Sequence, residues 1–207
     1  MDEKFDKSGE TLPIIEEFYS IQGEGINAGS AAYFIRLAGC DVCCEWCDTK
    51  QSWNINNATI CNVEEIAQRA SKEKSHNVVV TGGEPLMHNL DKLCESLERQ
   101  CLSVWLETSG THPLSGNFDW ICVSPKSHKE PLDEVLEQAN ELKIVIKSEE
   151  DFKMAEKYAQ KVAAECILVL QPEWENHEKV SKLIIEYVKN HPVWKISIQT
   201  HKYLGVR

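Results

Sequence analysis

Short apolar runs that alternate with amphipathic helical segments constrain the fold of this chain more than any other feature. PIIEEFYS, AAYFIRLA, NVVVTG, LSVWLET, DWICVS, ELKIVI, CILVLQ and WKISIQ read as strands. They are rich in Val and Ile, and several are apolar on both faces, as strands of a parallel sheet covered by helices must be. Helical patterns fall between them, in VEEIAQRASKEK, NLDKLCESLERQ, EEDFKMAEKYAQKVAAE and HEKVSKLIIEYVKN. Asn62 with Glu65 resembles a capping box at the start of the first, and Ser148 with Asp151 at the start of the third. This order predicts a parallel α/β sheet with right-handed crossovers. A complete eight-unit α/β barrel takes about 250 residues. A shorter chain predicts a partial, TIM-like barrel with flanking helices, built as a single domain over residues 1–207.

Composition narrows the function. A net charge of −11 argues against a nucleic-acid partner or an anionic membrane surface, both of which need clustered Lys and Arg. The opening MDEKFDKSGE has no signal pattern, and no apolar run reaches the length of a membrane span. The expected location is the cytoplasm, where thiols stay reduced, so the nine cysteines are not a disulfide framework. Cys61, Cys94, Cys101, Cys122 and Cys166 lie in apolar or helical contexts and read as small buried hydrophobes.

Sites in parallel α/β sheets lie at the C-terminal ends of strands. The polar motifs of this chain fall at those ends. TGGEP follows VVV, ETSGT follows SVWL, SPK follows DWICV, QPE follows CILVL and QTHKY follows WKISI. The cysteine loop AGCDVCCEWCDT follows AAYFIRLA onto the same rim. There Cys40, Cys44 and Cys47 stand as C-x3-C-x2-C. Three thiolates hold three corners of a cubane 4Fe–4S cluster and leave one iron open. A zinc site needs a fourth ligand, and Cys43, adjacent to Cys44, is poorly placed to share one tetrahedral ion. A redox dithiol would use Cys43 or Cys44 with Cys47, without the usual thioredoxin context. The open-site cluster fits best and leaves Cys43 a bystander.

With Trp46 before the last cysteine, the loop resembles that of the radical S-adenosylmethionine enzymes. The resemblance implies a 4Fe–4S cluster on Cys40, Cys44 and Cys47, with S-adenosylmethionine on the open iron as the source of a 5′-deoxyadenosyl radical. It further implies that Trp46 and Asp48 lie beside the cofactor, with Gly83 and Glu84 of TGGEP at its methionine end. Ser109, Ser124, Pro125 and Lys126 are expected near its ribose and carboxylate, and Gln171, Pro172, Glu173 and Trp174 near its adenine.

Segments outside the loop are more specific. SIQGEG places Gln22, Gly23 and Glu24 in a tight turn, where an amide and a carboxylate can read the edge of a pterin or purine. Arg36 leads into the loop and can pair with a carboxylate. Thr49 offers a hydroxyl to a hard cation such as Mg²⁺. The chain ends QTHKYLGVR, a tail expected to be too short for another helix and to fold over the rim or fray. Taken in order, SIQGEG, the RLAGC loop ending in CDT, TGGEP, ETSG, SPK, the late QP and QTHKYLG resemble the 7-carboxy-7-deazaguanine synthase family over nearly the whole chain. That resemblance implies Mg²⁺-assisted ring contraction of 6-carboxy-5,6,7,8-tetrahydropterin to 7-carboxy-7-deazaguanine, with loss of ammonia, on the way to queuosine. It implies a homodimer fed by a reductant such as flavodoxin. Ile21, Gln22, Gly23, Arg36, Thr81, His201 and the Arg207 carboxylate would meet the substrate, and Glu24 would position or shuttle protons. The cationic Arg207 side chain sits awkwardly with that role. An activating enzyme for a glycyl-radical partner and a non-catalytic zinc module stand as alternatives. The first would not need SIQGEG or THKY, and the second would hold zinc instead of iron and sulfide.

Overall fold

A computed structural model describes residues 6–207; the start of the MDEKFDKSGE segment lies outside the described residues. The strands are β1 (Thr11–Ile21), β2 (Ala31–Leu37), β3 (Thr59–Asn62), β4 (Asn77–Gly82), β5 (Ser103–Thr108), β6 (Trp120–Val123), β7 (Glu141–Ile146), β8 (Ile167–Pro172) and β9 (Trp194–Ile196). The helices are α1 (Val63–Ala70), α2 (Asp91–Arg99), α3 (Asp133–Leu136), α4 (Asp151–Ala159), α5 (His177–Asn190) and α6 (Thr200–Leu204). The strands form one sheet in the order β3-β1-β2-β4-β5-β6-β7-β8-β9, parallel from β2 to β9. β3 and β9 do not pair, so the barrel stays open.

All eight anticipated strands are present. Two features of the β1 edge were not anticipated. β1 runs antiparallel to β2, with Phe18 opposite Phe34, and β3 adds a further antiparallel strand with Pro13 opposite Ile60. Only Cys61 of β3 is partly buried, so neither alternation nor an apolar run marks TICN as a strand. Pairing with β1 makes it one.

Alternation along the parallel strands sorts residues into two sets. Val78 and Val80, Leu106, and Leu142, Ile144 and Ile146 are fully buried toward the helices, against Ile66, Leu93, Leu97, Val180 and Ile184. Each such side chain contributes roughly 1.5–3 kcal/mol of burial free energy. The intervening positions, Phe34 and Arg36 on β2, Val79 and Thr81 on β4, Glu107 on β5, and Lys143 and Val145 on β7, face the concave side.

Helix starts follow the expected residues with altered bonding. Asn62 Oδ1 accepts from Glu64 N at 2.9 Å, while Glu65 approaches Arg69 instead of closing a box. Asp151 Oδ2 accepts from the amides of Lys147 and Ser148 at 2.8 and 2.9 Å, so the carboxylate, not the Ser148 hydroxyl, makes the bonds. The tail also departs from expectation. It forms α6, stopped by Gly205 in the left-handed region at φ 65°. A helix this short persists because Thr200 donates to Gly23 O from both N and Oγ1, at 2.8 and 3.0 Å. The scattered cysteines are all free; Cys94, Cys122 and Cys166 are buried as expected, and Cys61 is half-buried. Cys101 is exposed in the tight turn that follows α2, at φ 57°. Among the described residues, no helix is long and apolar enough to cross a membrane.

Candidate active site

The concave face and the C-terminal rim enclose a cavity of about 490 Å³, a size suited to small-molecule ligands. The cysteine loop forms one wall, carried there by the end of β2. Gly39 N donates to Ser52 O at 2.8 Å, and the His88 and His128 rings donate from Nε2 to the carbonyls of Ala38 and Val42 at 2.7 and 2.6 Å. Cys40, Cys44 and Cys47 all line the cavity. Cys43 is turned outward at φ 50° and its thiol lies 3.2 Å from Cys40 O. Burial raises the Cys40 and Cys44 thiols above their ordinary value. Among the described residues, no three Cys, His, Asp or Glu side chains converge on a single-ion site. A cubane takes three thiolates at separate corners, as three thiols along one cavity wall can supply. The donor set fits the cluster.

The glycines of TGGEP serve this wall. A Cβ on Gly83 would lie 2.1 Å from Gly39 O and 2.8 Å from the Cys40 Cβ, and one on Gly82 would lie 2.3 Å from Leu37 O. Any side chain there would push the cysteine loop off the end of β4. Glu84 follows, 1 % exposed, and both its oxygens are engaged. Leu86 N and Thr108 Oγ1 donate to Oε1 at 3.0 and 2.5 Å; Ser109 N and Oγ donate to Oε2 at 2.8 and 2.5 Å. The carboxylate thereby ties the ends of β4 and β5 together.

Lys126 lies 5.1 Å from the centre of the Trp46 ring and donates to Ser124 Oγ at 2.7 Å; burial lowers its ammonium pKa. Gln171 Oε1 accepts from Ser197 Oγ at 2.9 Å. Glu173 caps the turn after β8 by accepting from the amides of Glu175 and Asn176. Trp174 stacks on His177 and lies under Lys202, which also pairs with Asp48 at 3.0 Å. Thr49 Oγ1 sits 3.6 Å from Cys47 Sγ.

On the opposite wall, Gln22 donates to Glu107 at 3.2 Å and accepts from Glu24 N at 3.2 Å. A Cβ on Gly23 would lie 2.1 Å from His201 Nδ1, so this glycine lets the tail close against the loop after β1. Arg36 Nε donates to Glu16 at 2.8 Å, and Arg207 reaches the other Glu16 oxygen at 2.5 Å while its guanidinium covers Phe18. The main-chain oxygen of Arg207 accepts from Ser20 Oγ at 2.6 Å. Every residue expected at the site from sequence lines this cavity except Pro125, which lines a smaller adjoining pocket with Trp46 and Lys126.

Sequence reading missed Glu16, Glu107, Lys143, Gln199 and Lys202, all of which line the cavity. Lys143 Nζ lies 2.7 Å from Glu24 Oε2 and 2.8 Å from Glu107 Oε2, and Gln199 donates to Glu24 Oε1 at 2.7 Å. Burial alone would raise the Glu24 carboxyl; the Lys143 ammonium outweighs it and holds Glu24 well below the ordinary carboxylate range. A signal was present: a Lys inside ELKIVI and a Glu inside SVWLET are charges in otherwise apolar strands, and buried charges require partners.

An open parallel barrel that brings a three-thiol loop and a glycine turn to one pocket defines a radical S-adenosylmethionine enzyme, whose cofactors are a 4Fe–4S cluster and S-adenosylmethionine. A profile described as a 4Fe-4S single cluster domain matches residues 21–115. The chain is 48 % identical to the 7-carboxy-7-deazaguanine synthase of Flavobacterium psychrophilum over 97 % of this chain and 95 % of that one. It is 50 % identical to the enzyme of the same name from Synechocystis, over 95 % and 94 % of the two chains. The crystal structure of QueE from Escherichia coli superposes with a TM-score of 0.86 at 32 % identity, covering 94 % of this chain and 96 % of that one. The chain belongs to the 7-carboxy-7-deazaguanine synthase family.

Proposed function

We propose that this protein contracts the ring of 6-carboxy-5,6,7,8-tetrahydropterin to give 7-carboxy-7-deazaguanine, with loss of ammonia, as a carbon–nitrogen lyase. The observation that carries this reading is the convergence of SIQGEG, the cysteine loop and the tail on one cavity of about 490 Å³. That volume suits a bicyclic substrate beside S-adenosylmethionine better than the loop of a protein partner. When bound, the cluster and S-adenosylmethionine supply the radical that takes a hydrogen atom from the substrate.

The chain's own residues bind and orient. Arg36 takes the substrate carboxylate, exchanging its Glu16 partner for it. Gln22, Gly23, Thr81 and His201 hold the ring, with Ile21 at the end of β1 beside it. Thr49 lends its hydroxyl to Mg²⁺. Glu24 accepts from the substrate ring. Near the cofactor, Trp46, Asp48, Ser124, Pro125, Lys126 and the Gln171–Trp174 loop form its berth, while Gly83, Glu84 and Ser109 shape its methionine end. Orientation is the protein's main contribution, since the hard chemistry belongs to the cofactor. The protein acts as a single domain and a homodimer in the cytoplasm, with electrons from a flavodoxin-like reductant.

The test is anaerobic incubation of cluster-loaded enzyme with the pterin, S-adenosylmethionine, Mg²⁺ and reductant, followed by ultraviolet and mass analysis. Deazaguanine product that needs all four components supports the reading. No product, together with radical transfer to a glycyl-radical enzyme, would replace it.

A further inference from the structure

Lys143 is the most enclosed cation of the site, with a side chain 5 % exposed against 21 % for both Glu24 and Glu107. All three line the cavity, and the carboxylates are the more exposed. Each carboxylate accepts from Lys143 and from an amide, Gln199 for Glu24 and Gln22 for Glu107, while Gln171 also approaches Glu24 and the Cys122 thiol approaches Glu107. An ionised carboxylate offers about four acceptor positions. With three partners against about four positions, each keeps acceptor capacity on the cavity wall, and the cluster carries one negative charge in excess.

We propose that Lys143 is a positioning residue for the reaction above: it fixes Glu24 and Glu107 as a pair of acceptors for N–H groups on the substrate ring. This rests on the proposed activity and deepens it. Lys143 acts through these carboxylates, which are more exposed than its own side chain. Burial would lower the Lys143 pKa, but the Glu107, Glu24 and Glu141 carboxylates around it raise it, so it stays a cation. Other groups facing it do not displace the pair. Burial raises the Cys122 thiol and keeps it neutral. Burial also raises the Glu141 carboxyl, whose Oε2 accepts from Ile26 N at 3.1 Å and whose Oε1 has no partner among the described residues. Lys126 lies beyond β6 and is engaged with Ser124. Without the Lys143 ammonium, two neighbouring buried carboxylates would take up a proton and lose an acceptor.

The experiment measures anaerobic binding of 6-carboxy-5,6,7,8-tetrahydropterin to cluster-loaded enzyme with S-adenosylmethionine and no reductant, from pH 5.5 to 8.5. Native enzyme should bind with little pH dependence. Lys143→Met should weaken binding about tenfold at neutral pH, with a further loss as pH falls, because the unclamped carboxylates protonate at higher pH. Lys143→Arg should restore most of the affinity and the flat profile. Glu107→Gln, which leaves the Lys143–Glu24 pair intact, should weaken binding while cluster content and melting temperature hold. It reads the same clamp if Lys143→Met does not fold. Native affinity and a native pH profile in Lys143→Met, or native affinity in Glu107→Gln, overturn the inference. Failure of native enzyme to bind the pterin at all would instead overturn the proposed function.

Discussion

The two walls of the cavity are built in opposite ways. The cysteine wall is one contiguous loop, 40–47, held by backbone hydrogen bonds and by glycines that leave it room. The opposite wall is an ion network whose members come from far apart: Lys143 pairs with Glu24 across 119 positions, and Gln199 reaches Glu24 across 175. The first places reactive thiols and leaves their chemistry to what binds them. The second is satisfied within the protein and shaped for recognition. Damage to the cysteine wall should therefore abolish turnover, while damage to the opposite wall should mainly alter which molecule is held and how tightly.

Cys44→Ala puts that contrast to its hardest test. It should remove the brown chromophore and all turnover, whereas Cys43→Ala, altering an exposed thiol two steps from the pocket's logic, should keep both. Iron and sulfide analysis with the visible spectrum checks the pair. A Cys44→Ala protein that retains full cluster content and turnover would erase the distinction between the walls. Glu84→Gln follows in size. Its amide nitrogen would face the Ser109 amide or the Thr108 hydroxyl, leaving buried groups unpaired at a cost of about 2–4 kcal/mol. Urea denaturation should show the lowered midpoint, and cluster loading should fall with it, because Gly83 and Glu84 seat the loop.

This contrast also explains what could be read from the sequence. The cysteine loop, TGGEP and the strand ends are local patterns, so their chemistry and their place on one rim were legible. Val78–Val80 and Leu142–Ile146 announced parallel strands because both faces are covered. β3 was hidden because only Cys61 of Thr59–Asn62 is even partly buried and the segment gains its strand character from β1. The pairing of Lys143 with Glu107 and Glu24 was hidden for a related reason. Nothing nearby in the chain identifies their partners, which appear only when β5, β7 and the loop after β1 meet. The tail helix was missed because its anchor, the bare backbone of Gly23, lies 177 positions away.

Gly23→Ala probes the recognition wall at that anchor. The new methyl would occupy the space of the His201 ring, displacing α6 from the pocket. Misplacement on this scale costs on the order of tenfold to a hundredfold in catalytic efficiency. The loss should fall on kcat/KM, with cluster content unchanged. A parallel loss of iron would mean that the tail supports both walls, through Lys202 and Asp48.

pH provides a gentler probe of the same wall. Glu24 is held below its ordinary value of 4.5. Its contribution to stability is complete above that value and is lost only as pH falls through the lowered one. Urea midpoints should therefore decline below about pH 4.5, and Glu24→Gln should remove part of that slope while leaving the neutral-pH spectrum of the cluster intact. An unchanged slope would show that Glu24 titrates normally and that the network is looser than its geometry.

The smallest effect is expected at the mouth, where Arg207 and Arg36 share Glu16. The Arg207 side chain is 68 % exposed, so its ion pair is screened and weak. Its value to the site is indirect. By drawing one Glu16 oxygen toward the tail, it lessens the hold of Glu16 on Arg36. Arg207→Ala should leave the melting temperature and cluster content unchanged and raise KM roughly two- to fivefold with kcat preserved. Glu16→Gln should act in the opposite sense on KM, since Arg36 would lose its competing carboxylate. If both substitutions raise KM alike, Glu16 orients Arg36 toward the substrate instead of competing with it, and the mouth belongs with the preorganised network around Lys143.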